Sequence, residues 1–178
     1  MHLRTSHHPA RTRRAAIAAS SLLTAAGLLL TGTASATAAD GIAISGQGNP
    51  FDDWWNEGTL TTSAYNHSNV AAMWQTILWA DGYLNWDDID CSFGPKAKEQ
   101  TIWWQRYHDL RGDGMVGPKT FKKATEDRLA ELGGNKYRWV GKTGRHITFY
   151  RAANGKWGMY LGNDLKTLWY GKATFNKC

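Results

Sequence analysis

Three histidines, two cysteines and three pairs of neighbouring acids are the residues beyond position 40 that could carry out chemistry. They are His67, His108 and His146, Cys91 and Cys178, and Asp52-Asp53, Asp87-Asp88 and Glu126-Asp127. The histidines form no zinc-binding motif such as His-Glu-x-x-His, so the sequence predicts no metal and no other cofactor. Adjacent acids on loops and helix surfaces are usually solvated, and no motif marks these pairs as the acid and base of a glycosidase. The sequence therefore predicts a protein that is not an enzyme.

The first forty residues have the pattern of a secretory signal. Four arginines precede an apolar run over residues 15–30, and small residues follow at 36–38. A basic start, a short apolar segment and a small-residue cleavage site are typical of a segment removed on export. We predict a signal peptide over residues 1–39, with cleavage between Ala36 and Ala39 by either the general or the twin-arginine route. The mature protein is then extracellular and has no membrane partner.

The two cysteines favour a disulfide over a nucleophile. Exported chains keep disulfides, and Cys91 and Cys178 are the only cysteines, so we predict that they pair, within one chain or between two chains. A cysteine hydrolase would need one of them as a free thiolate beside His108 or His146. An oxidised pair excludes that chemistry.

Charge is distributed unevenly along the mature chain. Removing the signal leaves 17 basic and 15 acidic residues, a net charge of +2 against +6 for the whole sequence. Residues 40–95 hold eight acids and no Lys or Arg, whereas residues 135–178 hold nine Lys or Arg and one Asp. This pattern indicates two oppositely charged surfaces. No nucleic-acid-binding motif is present, and an exported chain is separated from nucleic acid, so we predict no such partner.

A turn motif occurs twice in the middle of the chain. "DCSFGPK" begins at Asp90 and "DGMVGPK" at Asp113, and the shared residues recur at an offset of 23. The Asp can accept backbone N–H bonds within the turn, and the Pro fits the first position of a helix. The predicted structural turn residues are Asp90, Gly94, Pro95, Asp113, Gly114, Gly117 and Pro118. Each copy is therefore expected to start a helix.

Apolar residues at helical spacing predict three helices, at about 69–81, 95–108 and 118–132. Ser68 can cap the first helix, and Gly133-Gly134 are expected to stop the third. These helices define a predicted domain over residues 68–133. Before it, residues 40–67 are rich in Gly, Asn, Ser and Thr around a few aromatic residues, which predicts a loop-rich arm that docks by its aromatics.

The helical part resembles the peptidoglycan-binding-like three-helix domain that is attached to many cell-wall hydrolases and spore-wall proteins. The resemblance covers about residues 70–124 and is carried by Val70, Trp74-Gln75, Gly82-Tyr83, Asp90 to Gly94, Trp104-Gln105, Asp109-Leu110 and Asp113 to Thr120. It implies a three-helix bundle and a peptidoglycan ligand. Cys91 stands where the family has a turn glycine, so it is expected at the exposed tip of the first turn.

A groove beside the second helix is the predicted ligand site. Trp103 and Trp104 are adjacent, so they point about 100° apart on a helix and cannot both face the core. Because Trp104 takes the family's core position, Trp103 is expected to point outward or against the arm. There Trp103 could stack on a sugar, while Gln105 and Arg106 could bind an amide or a carboxylate.

The chain changes to strand-like sequence after Gly134. Short aromatic and β-branched runs alternate with Lys and Arg through residues 134–178, and Asn154-Gly155 is a two-residue hairpin signal. We predict a small antiparallel sheet of three or four strands, with one aromatic and one basic face. The predicted fold is thus α+β, a three-helix peptidoglycan-binding-like bundle followed by a β extension.

The function predicted from the sequence is that of a secreted, tryptophan-rich, cell-wall-associated protein that binds peptidoglycan without catalysis. Its partners would be the glycan strand or the stem peptide, with anionic wall polymers as further candidates for the basic sheet. Two alternatives stay open. One is a cell-wall hydrolase with an unrecognised site, and the other is an exported protein-interaction or inhibitor module on the same scaffold.

Overall fold

Each helix begins at a residue whose type favours a helix start. The computed structural model describes residues 42–55, 57–126 and 128–178. Helix α1, Asn69–Ala80, follows Ser68, whose Oγ accepts a hydrogen bond from the Ala71 amide at 3.0 Å. Helices α2, Pro95–Tyr107, and α3, Pro118–Glu126, both begin with proline, whose missing N–H removes no helical bond at that position. The predicted starts of all three helices are confirmed.

The sheet follows the helices and has five antiparallel strands. They are β1 Leu129–Gly133, β2 Lys136–Val140, β3 His146–Arg151, β4 Trp157–Leu161 and β5 Asp164–Thr167. Strands next to each other in the chain are next to each other in the sheet, so the sheet is a simple meander. One face is buried through aromatic and aliphatic residues, while Lys136 and Arg138 alternate with them on the exposed face.

The prediction that the third helix extends to residue 132 is wrong. Helix α3 ends at Glu126, and Leu129 lies in β1 opposite Trp139. The two glycines expected to stop a helix instead lie where β1 meets the hairpin turn: Gly133 ends β1, Gly134 begins the turn, and both have positive φ. Leu129 is buried against the sheet and Leu132 is exposed, a pattern that suits a strand and not a helix face.

The three-helix bundle is also wrong, although the α+β class holds. Helix α1 packs on strand β3 as well as on α2, and α3 leads directly into β1. Gly141, in the turn after β2, lies so close to the end of α1 that a Cβ there would be 2.1 Å from the Ala80 carbonyl oxygen. The helices therefore share one buried core with the sheet.

The arm docks on the sheet by its aromatic residues, as predicted. Trp54 is fully buried, with its ring centroid 4.9 Å from that of Phe149 and 5.6 Å from that of Trp157. The amide of Ile44 donates a hydrogen bond to the Leu168 carbonyl at 3.0 Å, and the Ile44 carbonyl accepts one from the Trp157 amide. The arm thus adds backbone pairing to ring contacts along the sheet.

The hairpin predicted at Asn154-Gly155 is confirmed, with a longer turn. The Gly155 amide donates to the Ala152 carbonyl at 2.9 Å, and the Ala152 amide donates to the Lys156 carbonyl at 2.8 Å. Three residues, 153–155, therefore connect the paired positions. Gly155 has φ of +81°, the left-handed conformation that such a turn needs at its last position.

A disulfide joins Cys91 and Cys178 within one chain. This is one of the two pairings that the sequence predicted. The expectation that Cys91 sits at an exposed tip is wrong, because its side chain is fully buried in the shared core. A disulfide is compatible with an extracellular protein.

The predicted signal peptide lies outside the described residues. Among the residues that are described, no helix has the length and apolar character needed to cross a membrane.

Removing the disulfide should lower the free energy of unfolding. The bond links residues 87 apart, and the chain-entropy argument gives about 4–5 kcal/mol for a closed segment of that size. Cys91 has φ of +64°, which glycine adopts freely and alanine at a cost of about 1–2 kcal/mol. We expect Cys91→Gly with Cys178→Ala to lose about 4 kcal/mol, and Cys91→Ala with Cys178→Ala to lose about 1 kcal/mol more.

Urea unfolding followed by tryptophan fluorescence measures both differences. Equal midpoints for the two double variants would contradict the need for a glycine-type conformation at position 91. A wild-type midpoint that is unchanged by reduction would contradict the stabilising role of the bond.

Candidate functional site

A glutamine side chain on α1 holds the first repeated turn. The Nε2 group of Gln75 donates to Asp90 Oδ1 at 2.7 Å and to the Ser92 carbonyl at 3.1 Å, and its Oε1 accepts from the Cys91 amide at 2.9 Å. Asp90 Oδ1 also accepts from the Ser92 amide at 2.9 Å. Gln75 is buried, so these bonds replace its contacts with water. We call these four residues the first glutamine clamp.

The second repeated turn is held in the same way from α2. The Nε2 group of Gln105 donates to Asp113 Oδ1 at 3.0 Å and to the Met115 carbonyl at 2.8 Å, and its Oε1 accepts from the Gly114 amide at 2.9 Å. Asp113 Oδ1 accepts from the Met115 amide at 2.9 Å. These four residues form the second glutamine clamp. The internal repeat therefore extends to the hydrogen bonds inside the turns.

Backbone conformation is repeated as well. Cys91 has φ of +64° and Gly114, its counterpart, has φ of +70°. A residue other than glycine rarely adopts such a positive φ unless other contacts hold it there. At Cys91 the support is the disulfide together with the hydrogen bond from its amide to Gln75.

A shallow cavity lies beside each glutamine clamp. Its volume is about 250 Å³ at the first clamp and about 320 Å³ at the second. Six wall residues correspond at the offset of 23: Asp90, Ser92, Gly94, Pro95, Lys96 and Ala97 match Asp113, Met115, Gly117, Pro118, Lys119 and Thr120. The repeat has thus duplicated a concave surface along with the turn that frames it.

The two cavities differ in chemical character. Asp87 and Asp88 join Asp90 in the wall of the first cavity, which is therefore acidic. A hydrogen bond of 2.7 Å from Lys96 holds the pKa of Asp88 below its ordinary value. The second cavity has one acid, and Met115 in its wall is largely exposed. A ligand that filled both cavities would therefore present a polar or cationic group to the first and an apolar group to the second.

Trp103 and Arg106 lie on the exposed side of α2, and Arg106 is the one of the two that reaches the second turn. Trp104 is fully buried and Trp103 is 52% exposed, as the predicted helical geometry required. The guanidinium carbon of Arg106 lies 5.4 Å from the centre of the Trp103 ring. A Cβ at Gly112 would be 2.8 Å from Arg106 Nε, so the arginine side chain contacts the loop that leads into the second cavity.

Gln105 does not face this surface. It was predicted as a ligand contact, but its side chain is buried and its amide is used in the second glutamine clamp. Its length allows the amide to reach inward to a turn that follows it by eight residues or more. Gln105 therefore stabilises the turn that forms the cavity wall from its buried side.

Asp81, at the end of α1, is a buried carboxylate that connects helices to sheet. Its Oδ2 accepts from the Trp104 indole at 2.7 Å, and its Oδ1 accepts from Arg128 and from the Lys142 amide. The imidazole Nε2 of His108 lies 3.8 Å from Oδ2, which is too long for a hydrogen bond. Burial alone would raise the pKa of Asp81, but these positive and N–H groups outweigh it and hold the pKa below its ordinary value.

Among the candidate catalytic residues, His67, His108 and both cysteines are engaged in separate contacts, whereas His146 is exposed at the start of β3. His67 Nδ1 is 3.0 Å from Ser92 Oγ, and His108 stacks on Trp104 with ring centroids 4.1 Å apart. Both cysteine sulfurs are in the disulfide, so neither is a thiolate. In the described ranges, no group of three or more His, Cys, Asp or Glu is placed to hold a metal ion.

The acid pairs are likewise divided between surface and core. Asp52 is exposed, whereas Asp53 is buried and accepts from the Trp157 indole at 2.7 Å while pairing with Arg151. Glu126 pairs with Lys122 one helical turn away. A glycosidase needs two carboxyl groups facing one open site. Asp53 and Glu126 each have a charged partner of their own instead.

A further cavity involves residues that the sequence did not single out. Trp79 at the end of α1 and Trp86 in the short 3₁₀-helix Trp86–Asp88 line it together with residues of β3 and β4. The only signal in the sequence was the surplus of tryptophan, which indicates ring faces available for stacking. The contributing elements come together only through contacts between distant parts of the chain.

Comparison of the chain with protein-family models, with curated proteins and with solved structures found no match.

Replacing the clamp glutamine should destabilise the protein strongly. Gln105→Leu leaves the Gly114 amide without its buried partner, at about 1–3 kcal/mol, and takes one of two donors from the Met115 carbonyl, which keeps its bond from Thr120 Oγ1. We expect a loss of about 2–4 kcal/mol, and a similar loss for Gln75→Leu. Gln100→Leu, the same change at a half-buried position of α2, should alter stability by less than about 0.5 kcal/mol. Chemical denaturation compares them, and similar midpoints for the position 105 and position 100 variants would contradict the clamp.

Asp81→Asn should be destabilising at neutral pH and less destabilising as the pH falls below 3.8. The folded pKa of Asp81 lies below the ordinary value of 3.8, so its stabilising charge is fully present above that value and is lost as pH falls below it. Because one partner of a buried ion pair is removed, we expect a loss of about 3–5 kcal/mol at pH 7. Urea unfolding at pH 7, 5 and 3 measures the gap to wild type. Asp52→Asn is the control, and a gap at pH 3 as large as at pH 7 would contradict this role.

Proposed function

We propose that this protein is a secreted, non-catalytic cell-wall protein that binds peptidoglycan at the surface formed by the two repeated turns and the exposed side of α2. The observation that carries the proposal is the duplicated cavity, whose six equivalent wall residues come from the two copies of one motif. Peptidoglycan is itself a repeating polymer. Two related cavities suit a ligand that presents related groups at intervals.

The exposed side of α2 carries side chains that suit a glycan with attached peptides. An exposed indole such as Trp103 stacks on the face of a sugar or covers a peptide methyl group. Arg106 can bind a carboxylate of a stem peptide through two parallel hydrogen bonds. Its contact with the loop at Gly112 holds this charge near the cavity wall.

The first cavity adds a complementary set of groups. Its acids can bind the amine of a diamino acid in a stem peptide, while the second cavity accepts an alanine methyl group at Met115 and Pro118. Each such contact is weak by itself. Binding of one polymer at both cavities gives a higher overall affinity, because the second contact becomes intramolecular.

The disulfide supports a location outside the cytoplasm. Structural disulfides persist in oxidising compartments and are rare where cellular thiols keep cysteines reduced. The predicted signal peptide would deliver the chain to the wall, where peptidoglycan is present.

Trp103→Ala and Arg106→Ala should each weaken binding to purified sacculi about fivefold, which corresponds to about 1 kcal/mol. Both side chains are exposed, so the melting temperature should change little. Sedimentation of the protein with sacculi that have been stripped of anionic polymers measures the affinity. Leu132→Ala, at a similarly exposed apolar residue of β1, is the matched control and should bind like wild type.

Three outcomes would count against the proposal. Wild-type protein that stays in the supernatant would remove peptidoglycan binding itself. Unchanged binding by both variants would remove this surface as the site. Release of soluble muropeptides during the incubation would show a hydrolase in place of a binding protein.

A further inference from the structure

A separate cavity lies where the end of α1 and the short 3₁₀-helix meet strands β3 and β4. Its volume is about 260 Å³, and its walls include Trp79, Trp86, His146, Thr148 and Tyr160. We call it the Trp79–Trp86 cavity. It shares no wall residue with the cavities beside the glutamine clamps.

The two tryptophans give this cavity an aromatic wall. Their ring centroids are 5.0 Å apart with planes inclined at 65°, and Trp86 is 38% exposed. Because the two ring planes are inclined to each other, one ligand in the cavity can contact both Trp79 and Trp86. An indole surface in a shallow cavity is suited to the C–H face of a sugar ring.

Polar side chains face the same cavity without partners of their own. Within the ranges of chain that the structure describes, the side chains of His146, Thr148 and Tyr160 make no hydrogen bond. Hydroxyl and imidazole groups can both donate and accept hydrogen bonds, as sugar hydroxyls do. Few convergent polar groups beside aromatic rings are typical of a site that fixes the orientation of a small ligand.

One cation lies over each ring of the aromatic wall. The Arg145 guanidinium carbon lies 4.9 Å from the Trp79 ring centre, and its Nη1 donates to the Trp79 carbonyl at 2.7 Å. Lys177 Nζ lies 5.5 Å from the Trp86 ring centre. No Asp or Glu is among the described wall residues. Of the two acids that follow Trp86, Asp88 pairs with Lys96, and Asp87 is exposed and lines the cavity at the first clamp.

We propose that the Trp79–Trp86 cavity binds one anionic sugar unit, with a carboxylate or a phosphate as the charged group. The volume lies below the range of about 300–1,000 Å³ that holds drug-sized ligands, so one sugar ring is the appropriate size. The indoles contact the face of the sugar ring, and Thr148 and Tyr160 bind the sugar hydroxyls. Arg145 and Lys177, which lie over the indole rings, attract the negative charge of the sugar. This site does not depend on peptidoglycan binding at the glutamine clamps.

Three sugars with the same ring test the proposal: glucose, glucuronate and glucose 6-phosphate. Titration of ¹⁵N-labelled protein, followed by the indole N–H signals of the ten tryptophans, reports which rings are contacted. We expect the Trp79 and Trp86 signals to shift, with at least about fivefold tighter binding for one charged sugar than for glucose. The better of the two charged sugars distinguishes carboxylate from phosphate. Equal affinity for all three sugars, or no shift of either signal, would overturn the proposal.

Variants separate the aromatic contribution from the charge. Trp86→Ala should weaken binding of the charged sugar about fivefold or more, and Tyr160→Phe, which removes only a hydroxyl, should weaken it by a smaller factor. Lys177→Gln should reduce the preference for the charged sugar while leaving glucose binding unchanged. Wild-type affinity in all three variants would overturn the proposal.

Trp169→Ala is the matched control for an aromatic residue with basic neighbours. Lys156 and Lys172 lie 4.7 and 4.4 Å from the Trp169 ring centre, but Trp169 is not in the cavity wall. Its loss should leave sugar binding unchanged, and Leu165→Ala provides the same comparison at an exposed residue of β5. If Trp169→Ala weakened sugar binding as much as Trp86→Ala does, any indole with a cation over it would bind the sugars. That result would overturn the proposal that the Trp79–Trp86 cavity is a specific site.

Discussion

One buried carboxylate, that of Asp81, fixes the arrangement on which the candidate surfaces depend. It accepts hydrogen bonds from Trp104 on α2, from Arg128 before β1 and from the backbone at Lys142 after β2. Without these donors, the free energy of keeping a charged carboxylate buried would be prohibitive. The donors come from different elements, so the two helices and the sheet must keep their relative positions. Asp53 has the same role for the arm, through an indole and a guanidinium of the sheet.

Local signals in the sequence were sufficient for the helix starts and insufficient for the way the helices pack. Pro95 and Pro118 begin helices because the information lies within a few residues of each turn. Leu129 fits a helical or a strand pattern equally well, and its partner Trp139 decides between them from the far side of a hairpin. The bundle was wrong for a similar reason, since α1 buries its apolar surface partly on β3, a strand that no local pattern connects to it.

The candidate sites show the same division. That Trp103 points outward follows from helix geometry once Trp104 is assigned to the core. The same geometry could not place the amide of Gln105, because a long side chain reaches a turn whose position depends on the whole loop. The Trp79–Trp86 cavity lay beyond local reasoning, since His146 reaches it from a distant strand.

The order of the strands has a consequence for how this protein reaches its folded state. Each strand pairs with its neighbour in the chain, so every hairpin closes a short loop at low entropic cost and the sheet can form early. Contacts between α1 and the end of the chain join distant residues, since the Asn69 side-chain amide donates to the Thr167 carbonyl at the end of β5 and to Thr174 Oγ1 beyond it. The same docking brings Cys91 and Cys178 together, so the disulfide links the turn before the second helix to the end of the chain.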